Sequence, residues 1–142
     1  MKISDSQKKD IESIAVKYGL RLLVLFGSQA RGEANKKSDV DIAYSSYKNM
    51  DIAKENLMSL DLYSVFGTSK LDLVNLSNAS PLLLKRITNE GIALYEAEMS
   101  FFNNLYLYAM NIYRESKILR DLRQYLVSVR NEKFKKDIAY AG

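Results

Sequence analysis

Along the first hundred residues, apolar positions follow two spacings in turn, and each spacing predicts a different element. Apolar residues recur every three or four positions at 5–18 and 50–66, which predicts two amphipathic helices. Residues 20–26 are apolar except for one arginine, whereas residues 39–44 and 71–76 alternate between polar and apolar side chains. These three stretches predict strands. The first is expected to be buried, because an aliphatic run of this length suits a strand enclosed by the core.

Glycine and proline mark the ends of the predicted elements. Glycines follow both helices and suit the left-handed backbone that ends a helix. Ser80 and Pro81 predict a further helix, with a capping hydroxyl followed by proline at the first helical position, and this helix runs to Gly91. Residues 92–95 predict a short fourth strand, and residues 33–38 predict a loop.

The segment beyond Met99 has no glycine or proline before the final residue, which indicates a long helical region. We expect residues 1–96 to form one domain and residues 97–142 a helical extension. A helix of about 30 residues would be roughly 45 Å long, more than the width of such a domain. Either part of it is free for a partner, or the segment folds into two helices that cap the domain. The recurring apolar positions are Phe101, Leu105, Tyr108, Ile112, Leu119, Leu122, Leu126 and Val129.

The composition excludes several kinds of chemistry. The chain has 142 residues, 47% hydrophobic and 27% charged, which is typical of one globular domain. It has no cysteine and no histidine, so disulfides, thiolate zinc sites, cysteine nucleophiles and histidine bases are excluded. Carboxylate chemistry with a hard metal ion remains. The sequence shows no signal peptide and no run of eighteen apolar residues, so we expect a cytoplasmic protein without a membrane partner.

The net charge of +4 is concentrated near the C-terminus. Residues 114–136 hold eight lysines and arginines against three acidic residues. A basic segment of this kind can bind nucleic acid or an acidic protein surface, although a solvated helix face is the commoner reason for it. Direct binding of nucleic acid is therefore not expected.

The candidate chemistry lies between the first two predicted strands. Gly27 lacks a side chain and would let a phosphate approach the backbone, and Ser28 adds a hydroxyl and an amide near the start of a short helix at 29–32. Asp39 and Asp41 are two apart on a strand, so their carboxylates project side by side. Adjacent carboxylates repel each other unless a cation neutralises them, and Mg²⁺ is the cation that such ligands favour.

A third carboxylate, Asp72, lies between Leu71 and Leu73, where an unpaired charge would be costly. A metal-facing role explains it: Asp39 and Asp41 would bridge two ions, while Asp72 binds one of them and helps to deprotonate an attacking hydroxyl. Each feature also has a structural explanation, since Gly-Ser is often a turn and an Asp-x-Asp pair is often a solvated edge. Their combination in a strand-turn-strand context is what favours a functional site.

The segments Gly27-Ser28-Gln-Ala-Arg-Gly32 and Ser38-Asp-Val-Asp-Ile42 resemble the signature of the DNA polymerase beta-type nucleotidyltransferase superfamily. The small size resembles its minimal nucleotidyltransferase (MNT) branch, and the resemblance covers about residues 5–96. It implies an α+β nucleotidyltransferase fold, with a small mixed sheet and helices on one side. It also implies transfer of a nucleoside monophosphate from an NTP to a hydroxyl, with release of pyrophosphate.

The resemblance implies a role for each candidate residue. Gly27 and Ser28 match the triphosphate-binding pair. The metal-binding and catalytic carboxylates that it implies are Asp39, Asp41 and Asp72. Mg²⁺, as two ions, is the implied cofactor, and ATP is the implied substrate. Arg31 belongs to the motif of the branch and is a nucleotide-binding candidate, either through phosphate contact or by pairing with a nearby acid.

The same branch resembles antitoxins of two-gene systems whose other product is an all-helical HEPN ribonuclease. This implies transfer of AMP from ATP to a tyrosine of a cognate HEPN toxin within a hetero-oligomer, with the C-terminal helix helping to dock the toxin. The aromatic residues suited to that interface, or equally to an intramolecular core, are Phe101, Phe102, Tyr106, Tyr108 and Tyr113. The alternatives are a nucleotidyltransferase acting on a small hydroxylated molecule such as an aminoglycoside, and a non-catalytic antitoxin that inhibits by binding.

Overall fold

The computed structural model describes residues 2–32 and 39–141, and within them helices and strands alternate as predicted. In chain order the elements are α1 (Asp5–Lys17), β1 (Leu20–Phe26), α2 (Ser28–Arg31), β2 (Val40–Ser46), α3 (Ile52–Phe66), β3 (Leu71–Asn75), α4 (Pro81–Glu90), β4 (Ile92–Glu96) and α5 (Phe101–Ala141). A 3-10 turn, Leu76–Asn78, follows β3. The loop expected at 33–38 lies outside the described residues.

The strands form a mixed sheet in the order β3-β2-β1-β4. β1 pairs antiparallel with β2 and β4, whereas β2 pairs parallel with β3, and α3 makes the crossover that a parallel pair requires. The expected α+β class with a small mixed sheet is confirmed. The register places Phe26, the last residue of β1, opposite Asp41, and it places Asp41 beside Asp72.

Helices cover both faces of this sheet, and the expectation that they lie on one side is wrong. α1 and α3 pack on one face around Leu23 and Ile42. α4 and the first turns of α5 pack on the other face around Val24 and Ala43. The physical reason lies in β1, whose apolar side chains point alternately to the two faces, so that each face must be covered.

Capping side chains set where the helices begin. The Ser80 hydroxyl accepts a hydrogen bond from the backbone amide of Leu83 at 3.2 Å, and Pro81 is the first residue of α4, as predicted. α3 starts two residues later than predicted, because the Asp51 carboxylate accepts a hydrogen bond from the Lys54 amide at 2.7 Å and thereby caps the helix.

α5 is one continuous helix of 41 residues, so the two-helix alternative for the C-terminal segment is wrong. At 1.5 Å per residue it is about 60 Å long. Its first turns pack on α4 and β4, and from 121 to 139 every residue is exposed. The α5 side chains that pack into the core on the α4 side of the sheet are Phe101, Phe102, Leu105, Ala109 and Ile112. Within the described ranges, none of the helices combines the length and the apolar character needed to cross a membrane.

Candidate active site

Gly27 stands where β1 ends and the short helix α2 begins. Its backbone has φ +75° and ψ −154°, a conformation that residues other than glycine rarely adopt. A Cβ atom at this position would also collide with Oδ2 of Asp41. The chain therefore needs glycine here for two reasons, a positive φ and the close approach of a carboxylate. Ser28, the other half of the predicted phosphate-binding pair, follows as the first residue of α2.

Asp39 and Asp41 flank Val40 at the start of β2, as the period-two alternation predicts. Val40 is 2% exposed and belongs to the core on the α1 and α3 side. Asp41 therefore points to the opposite face, the same one as Ala43, on which α4 packs. Asp39 is exposed, whereas Asp41 is partly buried. The two carboxylates thus share one face but differ in their access to solvent.

Asp72 is the partner of Asp41 in the parallel pair of β2 and β3, so the structure brings it to the same place. The expectation that Asp72 sits in an apolar environment is wrong, because its side chain is exposed. β3 is an edge strand, and Leu71 and Leu73 point to the opposite face, where they pack against the core. The position of Asp72 beside Asp41 on the sheet, and not a cost of burial, is what makes it a candidate site residue.

The pKa of the Asp41 carboxyl is raised above its usual range. Burial is the largest cause, and the negative charges of Asp72 and Asp39 add to it. The positive charges of Arg86 and Arg31 act in the opposite direction. The site therefore concentrates negative charge from Asp39 just before β2, Asp41 on β2 and Asp72 on β3, and a bound cation would relieve the repulsion between them.

These carboxylates fit a divalent metal in their chemistry. All are hard oxygen ligands, and Mg²⁺ is bound through one or two carboxylates together with substrate phosphates. Among residues 2–32 and 39–141, however, no three acidic side chains are already arranged as a complete set of metal ligands. The protein would hold such an ion through Asp39, Asp41 and Asp72 together with oxygens from the substrate.

Arg31 pairs with an acid on α4. Its Nη1 lies 2.8 Å from Oε2 of Glu90, and Nε of Arg86 lies 3.6 Å from the same oxygen. Of the two alternatives for Arg31, pairing with a nearby acid is therefore observed, on side chains that are each one-third exposed. Sequence reasoning missed Arg86 and Glu90. The available signal was their i, i+4 spacing on a predicted helix, which is too common to single out a site.

The match to a family model agrees with this geometry. The model described as Polymerase beta, Nucleotidyltransferase matches residues 9–100, and the chain belongs to this family. The resemblance identified from the Gly-Ser and Asp-x-Asp segments is thereby confirmed.

Several named proteins are similar in sequence. A protein adenylyltransferase MntA of Aphanizomenon flos-aquae is 35% identical over 86 residues, which are 54% of this chain and 57% of that protein. Another MntA, from Shewanella oneidensis, is 33% identical over 76 residues, 54% of each chain. The chain thus spans little more than half the length of the MntA proteins it matches. A Methanocaldococcus jannaschii protein is 31% identical over 85 residues, 60% of this chain and 90% of that protein.

Solved structures share the fold. A chain in a crystal structure of a toxin-antitoxin complex with AMP-PNP superposes with a TM-score of 0.69 at 24% identity, covering 85% of this chain and 95% of that one. A chain in the complex of a tri-AMPylated Shewanella oneidensis HEPN toxin with an MNT antitoxin has a TM-score of 0.64 at 22% identity, covering 87% and 94%.

Proposed function

We propose that this protein is a Mg²⁺-dependent adenylyltransferase that transfers AMP from ATP to a tyrosine hydroxyl of a cognate HEPN toxin and thereby neutralises the toxin. The observation that carries the proposal is the juxtaposition of Asp41 and Asp72 on one sheet face beside Gly27, with Asp39 close enough to act on Asp41 through its charge. Family membership and the names of the similar proteins support the same reaction class.

Each residue has a task in this proposal. The backbone at Gly27 and Ser28 leaves room for the triphosphate to approach, and their amides offer hydrogen bonds to it. Asp39, Asp41 and Asp72 hold Mg²⁺ as two ions, which would offset the negative charge on the phosphoryl oxygens when bound. Arg31 and Arg86 add positive charge near the same carboxylates. The protein then has to align the acceptor hydroxyl with the pyrophosphate leaving group, which departs as the new bond to the AMP phosphorus forms.

The acceptor is proposed to be carried by a second protein. Residues 1–96 supply the catalytic unit in this proposal, and residues 97–142 form a helical extension with no strands among its described residues. A structure similar to this chain contains a tri-AMPylated HEPN toxin bound to an MNT antitoxin, which supports a HEPN protein as acceptor. Because ATP and Mg²⁺ are abundant in the cytoplasm, the reaction is proposed to take place there.

The experiment is transfer of label from ATP. The protein is incubated with Mg²⁺, ATP labelled at the α-phosphate, and the product of the gene adjacent to its own. We expect label on a tyrosine of that product, identified by mass spectrometry, and loss of its ribonuclease activity. Label on a small hydroxylated molecule alone would contradict the antitoxin role. A tight complex without any transfer would instead establish inhibition by binding.

A further inference from the structure

Beyond the turns that pack on the domain, α5 carries an apolar stripe that no other described residue covers. Its members are between 48% and 71% exposed, and they recur every three or four positions over about three turns. The residues of this stripe, called here the distal stripe, are Ile118, Leu119, Leu122, Tyr125, Leu126 and Val129. Exposure of six neighbouring apolar side chains on one helix is typical of an interaction surface.

The distal stripe does not continue the face by which α5 packs on its own domain. At 3.6 residues per turn its centre lies roughly 140° around the helix axis from Ala109, which is fully buried in the core. The packed face instead continues to Tyr113, whose ring lies 3.9 Å from Nζ of Lys85 on α4 and 4.6 Å from the guanidinium of Arg120. The contact with Lys85 holds α5 against α4, whereas Arg120 belongs to α5 itself, and the distal stripe stays exposed.

Basic residues border the distal stripe. Arg123 and Arg130 are seven residues apart, and together with three leucines of the stripe they line one shallow groove of about 260 Å³. Residues 114–137 contain eight bases and four acids, a net charge of +4 that equals the net charge of the whole chain. A partner for this surface therefore needs an apolar face with acidic residues along its edge.

This charge argues against two other occupants. A second copy of the chain would bring two segments of +4 together, which like-charge repulsion disfavours in a parallel or an antiparallel pair. Single-stranded nucleic acid stacks on aromatic side chains, and five of the six residues of the stripe are aliphatic. A row of aliphatic side chains at helical spacing is instead suited to pack against another helix.

We propose that the distal stripe docks an acidic, amphipathic helix of the protein whose tyrosine is modified. This inference rests on the proposed function for the identity of the partner, although not for the chemistry of the surface. The partner helix lies along Leu119, Leu122 and Leu126, with its acidic residues facing Arg123 and Arg130. Docking thus uses a surface separate from the carboxylates of β2 and β3, so it sets how tightly the acceptor binds and leaves the transfer step itself unchanged.

The first experiment uses designed peptides and the full chain. One helical peptide of 28 residues has leucines along one face bordered by glutamates, and a second has the same leucines bordered by lysines. We expect the glutamate peptide to bind at least about tenfold more tightly, and Arg123→Glu with Arg130→Glu to reverse the preference. The matched control is Lys117→Glu with Lys135→Glu, the same change of charge on the far side of α5. Equal binding of both peptides, or the same effect from the control, would overturn the proposal.

The second experiment uses the product of the adjacent gene as acceptor. Leu122→Gln with Leu126→Gln should raise the KM for that acceptor at least about tenfold and leave kcat unchanged, because both residues are exposed and glutamine favours helix. Phe134→Gln with Ile138→Gln changes two exposed apolar residues outside the distal stripe and should leave the KM unchanged. An unchanged KM in the first variant contradicts the proposal.

Two further measurements exclude the other occupants. Sedimentation of the protein alone should show a monomer, and dimerisation lost in the Leu122→Gln, Leu126→Gln variant would overturn the proposal. Tighter binding of a 20-nucleotide single-stranded RNA than of the glutamate peptide would also overturn it. If the adjacent gene product receives no AMP at all, the proposed function fails, while the peptide experiment still decides the nature of the surface.

Discussion

The carboxylate of Asp41 occupies the space that a side chain at Gly27 would need. We predict that Gly27→Ala reduces AMP transfer by at least about 100-fold and destabilises the fold by about 2 kcal/mol, because a positive φ and a steric clash act together. Gly67 is the control: it has φ +67°, but a Cβ atom there meets nothing within 4 Å. Gly67→Ala should cost about 1 kcal/mol and leave transfer intact. Thermal unfolding and the labelled-ATP assay measure both effects, and equal loss of activity in the two variants would remove the special role of Gly27.

Replacing Asp41 with asparagine removes its charge and is expected to leave the fold intact. Replacing a residue that only hydrogen-bonds to a metal ligand typically lowers metal affinity or activity about 10–100-fold. Asp41→Asn removes a proposed ligand itself, so it should lower AMP transfer more than about 100-fold. Its melting temperature with a chelator present should not fall, because the change removes a carboxylate that burial, Asp72 and Asp39 disfavour in its charged form. Asp121→Asn on the exposed part of α5 should change neither quantity. Transfer near the wild-type rate in Asp41→Asn would show that the metal assignment is wrong.

The ion pair of Arg31 and Glu90 gives a prediction on nucleotide binding. If Arg31 also contacts phosphate, Arg31→Gln should raise the KM for ATP about tenfold, the effect of losing a charge-assisted hydrogen bond. Glu90→Gln removes the same ion pair and should not raise that KM. Because the pair is one-third exposed on each side, neither variant should lose more than about 1 kcal/mol of stability. Parallel rises in the KM for both variants would assign Arg31 a structural role only.

Asp61 gives a prediction on pH and stability. It accepts hydrogen bonds from Tyr18 Oη at 2.6 Å and from Lys17 Nζ at 2.9 Å, and these hold the pKa of its carboxyl below the usual range. A lowered pKa contributes stability above the unfolded value of about 3.9, and that contribution is lost as the pH falls through the folded pKa. Asp61→Asn should therefore be about 1 kcal/mol less stable than wild type at pH 7, a figure kept small by the exposure of the carboxylate.

Denaturant unfolding from pH 7 down to pH 2 measures this dependence. The difference between wild type and Asp61→Asn should shrink as the pH falls below about 4. Asp10→Asn, on the exposed face of α1, should match the wild type throughout. A gap between wild type and Asp61→Asn that stays constant with pH would mean that the charge of Asp61 contributes nothing.

Local patterns predicted most of the elements because the signals that set them are local. The aliphatic run of β1, the Ser80-Pro81 cap of α4 and the alternation around Val40 each depend on residues within a few positions, and each is found where expected. α3 starts two residues later than the apolar spacing predicts, because the Asp51 cap and not the first apolar residue sets its start. The Gly-Ser and Asp-x-Asp segments also predicted which residues would meet, because they lie at the end of one strand and the start of the strand that pairs with it.

Other features depend on residues distant in sequence, and the sequence could not predict them. The exposure of Asp72 follows from β3 being an edge strand, a matter of strand order and not of its neighbours Leu71 and Leu73. The partner of Arg31 lies 59 residues away on α4. By pattern, the aromatic residues at the start of α5 fit a partner interface or a core equally well. In the structure, Phe101 and Phe102 pack against the core on the α4 side of the sheet, because α4 alone does not cover that face.

The sequence by itself determined the elements, the motif and the family, because helix caps, strand alternation and a glycine at a tight turn are specified over a few residues. Only the tertiary structure decided which carboxylate is partly buried, which arginine meets an acid, and which face of α5 stays uncovered. Those outcomes depend on how the sheet orders its strands and which helices cover each face, and burial and electrostatic interaction are properties of atoms brought together in space.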